Sequence, residues 1–162
     1  MIRFPRLALI AAAALGLAAC QKPAAPAAEA STAAPDAKPG LSLSGGRLIL
    51  PAVKGNPGAA YFALTNGSSA PAVIAAIDVA GAGMAMLHET KQVDGHSSMM
   101  DMSAPQVKPG ETLALAPGGK HVMVDGLPDT LKPGGTAELT ITFADGDKLS
   151  APLTVEAPGG AN

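Results

Sequence analysis

The chain has 162 residues, a formal net charge of −2 and only 2% aromatic residues. The charge is close to balanced and no basic cluster occurs, which argues against nucleic acid as a partner. Past the first twenty residues the only aromatic side chains are Tyr61, Phe62 and Phe143, so the core has to be built from aliphatic side chains.

The first nineteen residues have the pattern of a signal peptide. Arg3 and Arg6 form a positive start, and residues 7–17 form an apolar run of signal-peptide length. This run is too short for a membrane span, which needs roughly 20 apolar residues. We therefore expect residues 1–19 to direct export of the chain.

Cys20 is the only cysteine of the chain and follows Leu-Ala-Ala directly after the apolar run. This arrangement resembles the lipobox of bacterial lipoproteins, in which the cysteine becomes the acylated N-terminus of the mature protein. The resemblance implies a periplasmic, lipid-anchored protein, and Gln21 after the cysteine favours the outer membrane. An ordinary signal-peptidase site with a chance cysteine nearby is the alternative.

The remainder of the chain predicts a tether followed by one domain. Residues 20–40 are rich in alanine and proline without periodicity, which is typical of a disordered linker. Residues 41–157 suit one domain in length, and residues 158–162 form a short flexible tail.

Short β-type segments alternate with turn signals along this domain. Asn66-Gly67, Asp94-Gly95 and Pro133-Gly134-Gly135 are examples of the turns, and residues 144–147 predict a hairpin. No segment after the signal peptide has helical periodicity, so we expect an all-β sandwich or barrel. The predicted strands are residues 48–53, 59–65, 73–79, 84–93, 112–116, 121–124, 137–143 and 149–155.

The sulfur and imidazole side chains are concentrated in one part of the sequence. Apart from Met1, every methionine and histidine lies between Met84 and Met123. Thioether sulfur is a soft neutral donor and imidazole a borderline one, a combination that selects Cu(I). The cysteine-rich pattern of structural zinc sites and the oxygen clusters of calcium sites are absent from the sequence.

Strand parity indicates how these donors could meet. His121 and Met123 are two residues apart and point to the same face of a strand. The same parity puts Met84, Met86 and His88 on one face of an earlier strand. If the two strands are neighbours, His88 lies beside His121 and Met123.

The spacing His88-x10-Met99-x21-His121-x-Met123 resembles the motif of the PCu(A)C periplasmic copper chaperone family. The likeness extends to residues 59–66, 87–90, 117–123 and 131–135. It implies a cupredoxin-like Greek-key β fold that binds Cu(I) through His88, Met99, His121 and Met123. It also implies delivery of copper to cytochrome c oxidase assembly, with Sco-like proteins and the copper-receiving oxidase subunit as partners.

Some neighbouring residues leave the ligand set open. Met100 and Met102 follow Met99 closely, so the third ligand could be displaced along the chain. His96 lies in a predicted loop and could add a donor. Met84 and Met86 fit core or apolar-rim positions better than ligand positions.

Other functions fit parts of this pattern. Copper buffering or resistance at the envelope would use the same ligands as delivery, and a structural lipoprotein would need no metal. Electron transfer by a blue-copper site requires a cysteine thiolate, which the domain lacks. No nucleophile turn, phosphate-binding loop or carboxylate pair indicates an enzyme.

Overall fold

The computed structural model describes residues 37–160, and the predicted signal peptide and Cys20 lie outside these residues. The described part is built from strands, which confirms the all-β prediction. It contains no helix that could cross a membrane. The ten strands are β1 (Leu41–Ile49), β2 (Gly58–Asn66), β3 (Ala72–Val79), β4 (Met84–Val93), β5 (His96–Asp101), β6 (Gln106–Val107), β7 (Thr112–Ala114), β8 (Lys120–Asp125), β9 (Thr136–Phe143) and β10 (Lys148–Glu156).

The strands pair in the order β5-β4-β8-β2-β1-β10-β9-β3-β6, and β7 adds to β2. All pairings are antiparallel except that of β1 with β10. β4 and β8 are neighbours although the 26 residues 94–119 separate them, because the chain leaves and returns through β5, β6 and β7. This crossover brings His121 and Met123 of β8 beside the histidine and methionines of β4.

The core is aliphatic apart from two phenylalanines, as the composition predicts. In β2 every second residue is buried, so Ala60, Phe62 and Leu64 point inward. In β9 the same alternation buries Leu139, Ile141 and Phe143. Tyr61 lies on the opposite face of β2, where the Arg47 guanidinium stacks over its ring at 5.4 Å. The outer face of β2 also carries Ala59, which pairs with Met123 of β8.

β1 and β5 differ most from the sequence prediction, and the short strand β6 was not predicted. The first strand begins at Leu41 rather than at residue 48, and it continues across an irregularity between Ser44 and Arg47 where Gly45 has a φ of 63°. Glycine allows this backbone conformation without strain. Residues 96–101 form β5 on the edge of the sheet, whereas the sequence analysis places His96 in a loop.

The chain before β1 contacts the hairpin between β9 and β10. Ala37 forms a bridge with Leu149, and Lys38 Nζ pairs with the carboxylates of Asp145 and Asp147. The Lys38 ammonium also lies 5.2 Å from the centre of the Phe143 ring. Its hydrogen bonds raise the pKa of Lys38 above 10.5, and the bond from Lys38 lowers the pKa of Asp145 below 3.8. We call this arrangement the Lys38 clamp.

Candidate metal centre

The register of β4 and β8 places two histidines directly opposite each other. His88 pairs with His121, and Met86 pairs with Met123 two residues along. Because opposite residues of an antiparallel pair point to the same face, all four side chains share one face. The two imidazole rings meet edge to face, with centres 5.9 Å apart and planes at 80°. The expectation that His88 lies beside His121 and Met123 is therefore met.

Met99 reaches the same face from β5. The Asp94-Gly95 turn has positive φ angles of 52° and 80° at its two residues, as a tight hairpin turn requires. The resulting hairpin sets Met99 opposite Thr90 and Asp101 opposite His88. Met99 Sδ lies 3.0 Å from His88 Nδ1. The turn thus determines which methionine meets the first histidine.

The four side chains of the sequence motif therefore come to one place. Met99, His121 and Met123 line one groove of about 450 Å³, which Tyr61 and Pro57 also line. His88 does not line this groove but contacts Met99 and the His121 ring. His88 is 5% exposed and Met99 56% exposed. A metal ion between them would have one firmly held ligand and one that solvent reaches.

The ring nitrogens of the two histidines have different neighbours. His121 Nδ1 donates to the carbonyl oxygen of Gly119 at 3.1 Å, which leaves the Nε2 lone pair free for a metal ion. His88 has its Nδ1 toward Met99 and its Nε2 3.0 Å from Asp101 Oδ1. The Nε2 atom makes no hydrogen bond of regular geometry among the described residues.

The other donors of the methionine-rich segment take different positions. Met86 is half-buried beside Met123, and Met84 is 51% exposed at the start of β4, so both lie at the rim of the donor face. His96 and Met100 share the opposite face of β5 from Met99, by strand parity. Met102 follows β5 and packs against the hydrophobic core. His96, Met100 and Met102 therefore do not join the cluster around His88.

An ion-paired glutamate joins β4 to β8 on the face opposite the donors. Glu89 lies 3.0 Å from Lys91 and 3.1 Å from Lys120. Hydrogen bonds from Lys91 and then Lys120 lower the pKa of the Glu89 carboxyl below 4.5. This pairing supports the register that aligns the two histidines.

The donor set determines which ions the cluster suits. Within residues 37–160 no group of three or more histidine, cysteine or acidic side chains could hold a metal ion. The cluster instead offers two imidazoles and two thioethers, a set that favours a soft monovalent ion over zinc or calcium. The residues present therefore fit Cu(I) as a bound cargo.

The sequence analysis named the four side chains of this cluster but not the groups that contact them. The Gly119 carbonyl oxygen orients His121, and the Asp101 carboxylate lies against His88. Asp101 carries no recognisable signal, because the strand that aligns it with His88 was not predicted. The Pro-Gly-Gly turn before His121 was a signal for the bend that brings the Gly119 carbonyl oxygen to the His121 ring.

Comparison with known proteins agrees with this description. The family described as "Putative lipoprotein LpqE-like" matches residues 41–157. A curated relative from Leifsonia xyli subsp. xyli, "Putative lipoprotein Lxx21020", is 33% identical over 105 residues. That match covers 64% of this chain and 63% of the relative, so the chain spans less than two thirds of that protein.

Solved structures share the fold. The copper-bound PCuAC domain from PmoF2 superimposes with a TM-score of 0.60 at 20% identity, covering 74% of this chain and 94% of that domain. The solution structure of CuI-DR1885 from Deinococcus radiodurans matches with a TM-score of 0.56 at 28% identity, covering 78% and 81%. These matches confirm the predicted cupredoxin-like β fold and the resemblance to PCu(A)C domains.

Proposed function

This chain belongs to the family of LpqE-like lipoproteins, and we propose that it binds one Cu(I) ion at the bacterial cell envelope and carries it as a metallochaperone. The ligands in this proposal are His88, Met99, His121 and Met123. The lipoprotein family and the lipoprotein relative support a lipid-anchored envelope protein. Acylation of Cys20 and a place in the periplasm, on the outer membrane, are part of the proposal.

The 3.0 Å approach of Met99 Sδ to His88 Nδ1 carries the proposal. Metal–nitrogen and metal–sulfur bonds of about 2.0–2.3 Å bring the donors of one ion to within about 3–4 Å of each other. The two atoms already have that separation, and the His121 ring stands against the same imidazole. The copper-bound form of the PmoF2 domain and the Cu(I) form of DR1885 provide independent support.

The uneven burial of the ligands supports carriage rather than permanent storage. His88 is enclosed, whereas Met99 is exposed on an edge strand. An acceptor protein could replace Met99 first, while the histidines still hold the ion. We propose transfer to cytochrome c oxidase assembly, with Sco-like proteins and the copper-receiving oxidase subunit as partners, on the basis of the family resemblance.

The alternatives differ in what they require. Copper buffering or resistance would use the same four ligands without an acceptor. A structural lipoprotein would bind no copper. A blue-copper electron carrier needs a thiolate ligand, and no cysteine occurs in residues 37–160. A neighbouring gene for a Sco-like or oxidase-assembly protein would favour delivery, and an efflux cluster would favour resistance.

The test is a Cu(I) competition titration. The protein without residues 1–20 is mixed with a chromophoric Cu(I) chelator, and we expect it to withdraw one equivalent of copper. A variant with His121→Ala and Met123→Ala should lose this affinity. Met84→Ala, which removes an exposed thioether outside the cluster, serves as the matched control and should bind as the wild type does. Unchanged affinity in the double variant would exclude the proposed site.

A further inference from the structure

The His88 imidazole is held between two groups that both accept hydrogen bonds. Its Nδ1 faces the Met99 thioether at 3.0 Å, and its Nε2 faces the Asp101 carboxylate at 3.0 Å. A neutral imidazole has one N–H and one lone pair, so it can donate to only one of these neighbours. The tautomer at His88 is therefore determined by which neighbour is the stronger acceptor.

The carboxylate is the stronger of the two. An ionised carboxylate forms charge-assisted hydrogen bonds, whereas thioether sulfur is a weak acceptor. The N–H therefore belongs at Nε2, and the lone pair of Nδ1 points toward the lone pairs of Met99 Sδ. Two lone pairs at this separation repel each other unless a cation lies between them. Nδ1 and Sδ are thus a pair of donors that a soft cation would complete.

From this geometry we propose that Asp101 is a positioning residue for copper. It holds His88 with the proton on Nε2, so that Nδ1 is the nitrogen that binds Cu(I). The inference rests on the proposed function and adds to it which atom of His88 is the ligand. His121 has the opposite arrangement, since the Gly119 carbonyl keeps the proton on its Nδ1 and leaves Nε2 for the ion.

The position of Asp101 suits this role. It lies directly opposite His88 in the β4–β5 register, on the same face as the donors. Its side chain is 81% exposed, so its carboxylate can rotate to align with the buried Nε2–H. The buried Nε2 makes no hydrogen bond of regular geometry to any described residue, and Asp101 Oδ1 at 3.0 Å is the acceptor that such a rotation would bring into line. The negative charge of the Asp101 carboxylate also lies close to where Cu(I) would bind, and it favours a cation at that position.

The experiment compares Asp101→Asn with Asp94→Asn. Asp94 is an exposed carboxylate of the same hairpin, and Asn accepts its positive φ, so this control removes the same charge without touching His88. Cu(I) is diamagnetic, so long-range proton–nitrogen NMR of the histidine rings reports which nitrogen binds it. We expect Nδ1 of His88 to be the coordinated atom in the wild type. Cu(I) affinity should fall by about tenfold in Asp101→Asn and stay unchanged in Asp94→Asn.

The outcomes separate the two proposals. A wild-type protein that takes up no Cu(I) would overturn the proposed function together with the role of Asp101. A wild-type protein that binds Cu(I) through Nε2 of His88 would overturn only the role of Asp101. Equal Cu(I) affinity of Asp101→Asn and the wild type would also overturn only the role of Asp101. A change in the coordinated nitrogen of Asp101→Asn, with an unchanged melting temperature, would show positioning rather than loss of folding.

Discussion

Met99 and Met100 are adjacent residues, but only the replacement of Met99 by leucine should weaken copper binding. Both lie on the exposed edge strand β5, with exposures of 56% and 50%, and they point to opposite faces. Leucine keeps much of the volume and removes the sulfur. Because neither side chain is buried, we expect each change to alter the free energy of unfolding by no more than about 0.5 kcal/mol.

The two variants should differ in Cu(I) affinity. Met99 Sδ contacts His88, and its loss removes a direct ligand in the proposed site. Losing a group that only orients a ligand costs about 10–100-fold in metal affinity, so losing the ligand should cost at least tenfold. A tenfold loss corresponds to about 1.4 kcal/mol of binding free energy. Met100 faces away from the cluster, and Met100→Leu should bind copper as the wild type does.

The assay is competition of each variant with a chromophoric Cu(I) chelator, with urea unfolding of the metal-free proteins as the control for stability. A normal affinity in Met99→Leu together with a weakened one in Met100→Leu would show that the ligand lies one residue further along. Equal weakening in both variants would refute the argument from strand parity. Normal Cu(I) affinity in both variants would show that neither Met99 nor Met100 is a copper ligand.

Three further predictions concern the anchor, the core and the Lys38 clamp. Cys20→Ser should release the protein from membranes in cell fractionation and leave its Cu(I) affinity unchanged; a loss of copper would instead make the thiol a ligand. Asn66→Ala should destabilise the domain by at least about 2 kcal/mol in urea unfolding, because the buried amide donates to the Ala70 and Val107 carbonyls at 2.8 and 2.9 Å; a smaller loss would mean that water replaces it. Lys38→Ala should lower the melting temperature slightly at neutral pH. Because the pKa of Asp145 is lowered, the clamp contributes its full stability above pH 3.8 and loses it as the pH falls further. Because the pKa of Lys38 is raised, this stability is kept until the pH exceeds 10.5. A difference in melting temperature that persists at the lowest pH would contradict this ion pairing.

The sequence predicted the parts of the fold in which apolar residues alternate. Residues 84–93 were predicted as a strand with the bounds that β4 has, and β2, β3, β9 and β10 differ by a residue at an end. Strand parity also placed His88 on the same face as Met86. What parity could not give was that β4 and β8 are neighbours, which depends on the path of the whole chain. The family resemblance implied only that His88 and His121 bind the same ion.

The parts that escaped prediction have physical reasons. The segment His96–Asp101 contains no β-branched or aromatic residue and every side chain in it is exposed, so only its pairing with β4 makes it a strand. The contact between Asp101 and His88 depends on this pairing and was therefore invisible. The start of β1 was missed because Gly45-Gly46 interrupts the alternation of apolar and polar residues in this strand. The prediction began only at Leu48, which lies after the two glycines and is fully buried. Glycines at an irregularity in a strand read as a turn in the sequence.

The Lys38 clamp determines at which end of the domain a tethered chain would pull. Lys38 lies shortly before Leu41, the first residue of β1. Met123 lies at the other end of β1, because Ala59 of β2 pairs both with Ile49, the last residue of β1, and with Met123. At about 3.3 Å per residue, the length of β1 separates the two by about 25 Å. A force from a membrane anchor would therefore load the β9–β10 hairpin and the start of β1, and the face that carries the proposed copper ligands would stay free to meet other proteins while the molecule is held.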